Sequence, residues 1–240
     1  MTLQLLPDAV LRPLSDSSAF ASTAARLDAV IRLGVFVDGE RLPPERELAV
    51  RLGVSRVNLR EAIAVLRAAG MVQTRRGRGG GTTVVYPGSS TEPLDEDQLR
   101  RDRAWITDAL DFRRVVEPGA AYLAATRQLS ADQQGWLTGF EERVVAAGST
   151  PAHRIADSRL HLAVATLSGS AMLIEAVIRV QACLDPLLSR IPPLPAAVGQ
   201  SHQAHRAVIA AIMAGDPAAA RAEMERLCDR TAGLVRAQLA

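Results

Sequence analysis

Leu42-Pro43-Pro44-Glu45-Arg46-Glu47-Leu48-Ala49-Val50-Arg51-Leu52-Gly53-Val54-Ser55-Arg56 encodes a short helix, a tight turn and the opening of a second helix. Pro44 suits a first helical position, where a missing N–H costs nothing, and Glu45 and Glu47 then complement the positive first turn of a helix running to Leu52. Gly53 supplies the permissive backbone of a helix-to-helix turn, and Ser55 is placed to cap the next helix through its hydroxyl. From Arg56 onward, Leu59, Ala62, Ile63 and Leu66 recur at helical spacing and define a buried face. Arg56, Asn58 and Arg60 fall outside that stripe in the first turns, where they can reach a ligand.

After Gly70 the pattern changes to two β-prone runs, Met71–Arg75 and Thr82–Tyr86, around the tip Arg76-Gly77-Arg78-Gly79-Gly80-Gly81. Glycine and arginine at a hairpin tip make a basic wing. Residues 41–80 hold nine Arg against three Glu. A helix presented N-terminus first with a basic hairpin beside it is a way of reading duplex DNA. A surface hairpin merely solvated by its arginines is the alternative, but turn, cap, apolar face and charge all agree on the DNA reading. Upstream, Phe20–Leu33 reads as the first helix of this unit, with Leu27, Val30 and Ile31 on its apolar side. Residues 1–18 lack the basic-then-apolar order of a signal peptide and read as a flexible tail.

A chain of 240 residues accommodates two modest domains, each with its own core. Hydrophobic residues make up 48% but aromatics only 3%, which favours close-packed helices built from Ala, Leu, Val and Ile. The net charge of +2 is unevenly shared: residues 1–88 carry twelve Arg and eight acids, residues 89–240 sixteen Arg and eighteen acids. The polyanion site therefore belongs in the head. All 28 basic residues are Arg, read here as compositional bias. Cys183 and Cys228 have no zinc-like spacing, and no stretch reaches the roughly 20 apolar residues of a membrane span. Reduced thiols and a cytoplasmic location are the expectation.

The fold class expected is mainly α: a winged helix-turn-helix over 19–86, a linker at 87–94 rich in turn formers, and an all-α antiparallel helical bundle over 95–240. Helical segments are expected near 95–128, 131–147, 151–168, 171–189, 197–214 and 217–238. Thr150-Pro151 and Asp216-Pro217 read as caps followed by Pro, Gly148, Gly169 and Gly215 mark ends, and Ile191–Pro195 reads as a connection. Pro118 falls inside the first segment and predicts a kink.

Asp157 and His161 are four apart and share one helix face, while His202 and His205 are three apart on another segment. A carboxylate with imidazoles from facing helices is a cage for a divalent metal ion, zinc or similar. Histidines satisfied within the core are the competing reading.

The head's wording, Leu42–Ala49, Gly53–Arg56, Leu59–Ala62, Leu66 and Gly70–Val72, resembles the winged helix-turn-helix of GntR-family bacterial transcription regulators. The resemblance implies DNA contacts at Arg46, Ser55, Arg56, Arg60, Arg76 and Gly77. Asp111–Pro118, Asp157–His161 and His205–Ile212 with Gly215-Asp216 resemble the FCD effector-binding domain of the FadR subfamily. Metal-binding members use an Asp and a His four apart, a second His and a third His near the end. The first three match Asp157, His161 and His205, but the fourth position is Leu227, and the family's Asn is Ser170 here. His202 or Cys228 could add a donor from nearby. Arg113 matches a position that meets an effector carboxylate, against the alternative of pairing with Glu117. The resulting expectation is a transcription regulator, a repressor of a double-stranded DNA operator released by a small organic acid. A homodimer is expected because one winged head reads only a few base pairs and two-fold symmetry matches a palindromic operator. A metal-dependent hydrolase and an architectural DNA-binding protein are the rival readings.

Overall fold

The computed structural model describes residues 19–75, 77, 80–88, 95–147, 150–190 and 195–238. The tail at 1–18, the wing residues Arg76, Arg78 and Gly79, the linker residues 89–94, Gly148 and the connection at 191–194 lie outside them. Contacts divide the chain into two compact units, between Gly88 and Ser89.

The first unit opens with α1 (Ala19–Arg32), followed by α2 (Glu45–Leu52) and α3 (Arg56–Ala68). Pro44 caps α2 with φ −51° and ψ 139°, one residue outside the helix, so the expected helical Pro44 is corrected by one position. Its extended backbone explains the shift. Gly53 follows in the left-handed region at φ 66°, which a side-chain-bearing residue occupies only with strain. Ser55 Oγ accepts from the Asn58 N–H at 3.1 Å and starts α3 at Arg56. Leu27, Val30 and Ile31 of α1 are buried with Leu59, Ala62, Ile63 and Leu66 of α3. Each buried leucine contributes about 1.5–3 kcal/mol relative to exposure.

Strands β1 (Val72–Arg75) and β2 (Gly81–Val84) pair antiparallel in the register Val72↔Val84, Gln73↔Thr83, Thr74↔Thr82 and Arg75↔Gly81. The chain before α2 joins β2 on its other side: Leu42 N–H donates to Thr82, Val84 N–H to Glu40, and Arg41 bridges Thr83. The wing's base is thus tied to α2.

The second unit is all-α: α4 (Glu96–Ala125), α5 (Ala131–Ala146), α6 (Thr150–Leu167), α7 (Ala171–Leu188), α8 (Pro195–Met213) and α9 (Pro217–Gln238). Helix α4 continues through Pro118 and packs against α6, α7, α8 and α9. A capping box formed by Ser130 and Gln133 starts α5. Ser170, at the position where the resemblance expects Asn, caps α7 by accepting from Leu173 N–H at 3.3 Å. Asp216 Oδ1 accepts from Ala219 N–H at 3.0 Å and starts α9 at Pro217. Two expected ends move: Thr150 lies inside α6 instead of capping it, and Pro195 opens α8 instead of belonging to the connection. Proline is accommodated there because the first helical N–H has no intrahelical partner.

Candidate DNA-reading face and buried polar cluster

In the head, α2, α3 and the base of the wing enclose an open concavity of about 1150 Å³. Seven arginines line it, Arg41, Arg46, Arg51, Arg56, Arg60, Arg67 and Arg75, against Glu40, Glu45 and Glu47. A positive hollow bordered by a helix N-terminus is suited to phosphate and base edges. Gly77 lines the same hollow at φ 95°, while Arg76 lies outside the described residues. Ser55 and Asn58 are joined through the helix cap, so the Ser55 hydroxyl already accepts one hydrogen bond. Arg60 Nε donates to Glu45 Oε2 at 2.7 Å, with 60% and 33% of the two side chains exposed. At that exposure the pair is worth about 0–1 kcal/mol, weak enough to exchange for a phosphate or base. Glu47 holds Arg51 in the same manner at 2.6 Å.

The second unit's charged core is built on α4. Arg113 and Glu117 are one turn apart, 3% and 2% exposed, with Arg113 Nε 3.0 Å from Glu117 Oε2. The pairing alternative for Arg113 is therefore present in the structure. From α6, His161 Nδ1 approaches the same Oε2 at 2.8 Å, and its Nε2 lies 3.3 Å from Arg113 Nη2. A guanidinium only donates, so Nε2 accepts and Nδ1 carries the proton. From α7, Gln181 Nε2 donates to Glu117 Oε1 at 2.5 Å, and Ser158 Oγ donates to Gln181 Oε1 at 3.4 Å. From α9, Cys228 Sγ lies 3.5 Å from Glu117 Oε2. Burial, then the Glu117 carboxylate, pushes the Cys228 thiol up, so it is an uncharged neighbour and not a ready metal ligand. Burial alone would drive the Glu117 carboxyl upward, but the Arg113 charge and then His161 outweigh it and bring it down to about 2. Glu117 is the centre of this cluster.

Beside it, Asp157, His161 and His205 are all buried and offer ligand atoms within 4.8 Å of one another. His205 Nε2 lies 3.2 Å from Asp157 Oδ1, and Arg154 Nη1 donates to Asp157 Oδ2 at 2.9 Å. Burial opposes ionisation of Asp157, yet the Arg154 charge and the His205 contact hold it well below the usual carboxylate range. Burial pushes His205 below its ordinary value, leaving the neutral imidazole that metals require. The Nε2 approach to Asp157 is off the hydrogen-bonding axis, so neither ring nitrogen of His205 has an aligned partner among the described residues. Orphaned imidazole nitrogens beside an ionised carboxylate and a second imidazole fit a divalent metal ion. Leu227 is buried and supplies no fourth donor.

Glu117 entered the sequence reading only as a partner for Arg113, although its spacing and the Glu-Pro pair were visible. Gln181 and Ser158 had no local signal, whereas Arg154 stands three residues before Asp157 on the same helix, a spacing that allows their ion pair and that the sequence reading did not use.

A basic winged head joined to a helical body with a buried polar cluster is the build of a DNA-binding transcription regulator. Residues 21–84 match the bacterial regulatory proteins of the gntR family and residues 108–230 match the FCD domain, and the chain belongs to that family, in its FCD-containing FadR group. A provisionally named L-lactate dehydrogenase operon regulatory protein of Escherichia coli K12 is 32% identical over 89% of this chain and 83% of its own length. A provisionally named HTH-type transcriptional regulator, RmpR of Mycobacterium gastri, is 33% identical over 72% of this chain, which spans 63% of that protein. The solved structure of E. coli McbR/YncC superposes with a TM-score of 0.52 at 19% identity, covering 94% of this chain and all of that one, and shows the fold. These families and relatives are regulators, not enzymes, so the hydrolase reading is not favoured.

Proposed function

We propose that the chain is a cytoplasmic, homodimeric repressor whose operator binding is released by a small organic acid held in the helical domain. The observation carrying this reading is Arg113: a guanidinium 3% exposed whose Nη1 has no hydrogen-bond partner among the described residues, beside the Asp157, His161, His205 trio. A buried N–H donor of a fixed fork is suited to one carboxylate oxygen. An acid engaging Nη1 and Nη2 frees the His161 Nε2 lone pair that Arg113 now contacts. When bound, a divalent ion on Asp157, His161 and His205 would supply a second positive anchor for the acid. The effector shifts the heads only through different affinity for the DNA-competent and released arrangements.

His161→Ala is expected to lower the zinc content of tag-free protein purified without chelator and to blunt operator release by L-lactate and related small hydroxy acids. The E. coli relative's name makes that acid class the first to try. Unchanged metal content with normal release would reduce the trio to ordinary core polar residues.

In the head, Arg56, Asn58 and Arg60 are proposed to meet base edges, with Arg46, Ser55, Gly77 and Arg76 on the backbone. A bidentate base contact is worth about 1–3 kcal/mol, so Arg60→Ala should weaken specific operator binding roughly 5- to 150-fold. Gel-shift titrations against wild-type and base-substituted operators at fixed salt measure it. Wild-type affinity with unaltered base preference removes Arg60 from the reading set.

The homodimer is proposed to form along α4. Trp105, Phe112, Val115 and Tyr122 are 54%, 42%, 71% and 41% exposed. With Asp108 and Gly119 they follow alternating three- and four-residue steps along one stripe. A side chain at Gly119 would meet nothing within 4 Å, so the stripe has a bare notch for close approach. A self-complementary stripe suits a two-fold axis, and two heads on a palindromic operator follow from it.

A further inference from the structure

All four histidines of the chain gather on two helices. On α6, His153, Asp157 and His161 are spaced four apart and form a column; on α8, His202 and His205 are three apart and face it. The column has two tiers. The inner tier is the buried trio already described. In the outer tier the His153 and His202 rings lie 5.6 Å apart between centroids, tilted by 45°. Both side chains are half-buried, so this tier reaches solvent where the inner one does not.

Two imidazoles sharing one ion at about 2.0–2.1 Å per metal–nitrogen bond have ring centroids roughly 5 Å apart, close to the separation observed. His202 Nε2 is itself buried and has no hydrogen-bond partner among the described residues. A buried imidazole nitrogen without a partner, facing a second imidazole at that separation, is placed to bind an ion shared between the two rings. Glu141, whose side chain is 12% exposed and bonded to Arg206 at 2.8 Å, contributes negative charge toward His202, as does Asp157. Without a ligand that buried nitrogen would stand idle.

We infer that His153 and His202 form a second, outer site for a divalent transition-metal ion, held by one imidazole from each helix with water completing the shell. Imidazole pairs favour Zn²⁺, Cu²⁺, Ni²⁺ and Co²⁺ over Mg²⁺ and Ca²⁺, which take oxygen ligands. With only two protein donors the site is weaker and faster to exchange than a buried three-donor one. It stands apart from the inner site, since neither of its ligands is shared with the trio.

The test is calorimetric titration of metal-free, tag-free full-length protein with Co²⁺ alone, repeated for His153→Gln with His202→Gln, for His202→Gln alone, and for His161→Ala. The double variant is expected to lose one equivalent of Co²⁺ per chain relative to wild type. His202→Gln alone should weaken the lower-affinity phase at least tenfold, and His161→Ala should retain that phase. Both outer positions are part-exposed, and the thermal unfolding curve of each variant checks that the fold is kept. A double variant that binds as many equivalents with wild-type affinities overturns the outer site. Loss of one equivalent in His161→Ala together with none in the double variant leaves the inner site standing and this one refuted. A single equivalent in wild type that only the outer substitutions remove supports this site and refutes the inner one.

Discussion

Arg113→Ala is expected to lower the unfolding free energy of the helical domain by about 3–5 kcal/mol, the usual cost of removing one member of a buried ion pair. The pair itself is no strong source of stability, because taking both charges out of water offsets most of their attraction. Removing Arg113 alone is another matter: Glu117, 2% exposed, would lose the charge that chiefly offsets its burial and keep Gln181, Cys228 and His161 as its neighbours among the described residues. It would then either stay charged without compensation or take up a proton at a cost. Against the 5–15 kcal/mol of a typical domain, that loss is large. Arg113→Met combined with Glu117→Gln should recover most of it, since Gln keeps an acceptor for Gln181 and leaves no uncompensated charge. The double variant should also remain insensitive to the effector, because the guanidinium is still missing. Denaturant unfolding followed by helix signal, paired with effector titration on operator DNA, separates the two roles. A single variant as stable as wild type would mean that the Arg113–Glu117 pair is not desolvated. A stable double variant that still releases DNA would remove Arg113 from the effector site.

The difference between Arg113 as read from sequence and Arg113 in the fold shows where local information ends. The head was legible almost residue by residue because its signals act over one turn: Gly53 in the left-handed region, Ser55 capping α3, and the Leu59, Ala62, Ile63, Leu66 face. Pro44 was misplaced by one residue only because a proline suits the cap and the first turn nearly equally. In the bundle, Gly215 and Asp216 fixed a helix boundary for the same reason. Asp157 and His161 could be paired by spacing on one helix, and the resemblance added His205. Nothing along the chain says that Gln181 of α7 meets Glu117 of α4, or that His153 meets His202, since those encounters are decided by how four helices pack around α4. Separations of 64 and 49 residues carry no periodic signal. The exposed α4 stripe was legible in principle, as Trp105, Phe112, Val115 and Tyr122 keep coiled-coil spacing. It was masked by a second face of the same helix that packs inward with Ile106, Ala109, Leu110, Arg113 and Glu117. A helix buried on one side and apolar on the other loses the clean amphipathic pattern that sequence reading depends on.

Phe112→Ser with Val115→Asp should convert the regulator to a monomer and weaken operator binding by about 100- to 10,000-fold, the range in which a second linked head raises affinity. The two side chains are 42% and 71% exposed, so the substitutions remove little core packing, and thermal stability of the isolated chain should change by no more than a surface substitution does. The aspartate adds a like-charge repulsion across a two-fold axis, where each copy meets its own image, so the penalty is felt twice. A fragment ending near Gly88 provides the comparison, because it carries one head and none of α4. The monomeric full-length variant and the fragment should bind a half-site with similar affinity, and neither should gain from joining two half-sites in one operator. Sedimentation equilibrium read together with gel-shift titrations on half and full operators makes the measurement. A variant that sediments as a dimer and holds the full operator like wild type would move the interface off α4. A fragment with full-length affinity would place the dimer contact in the winged head instead.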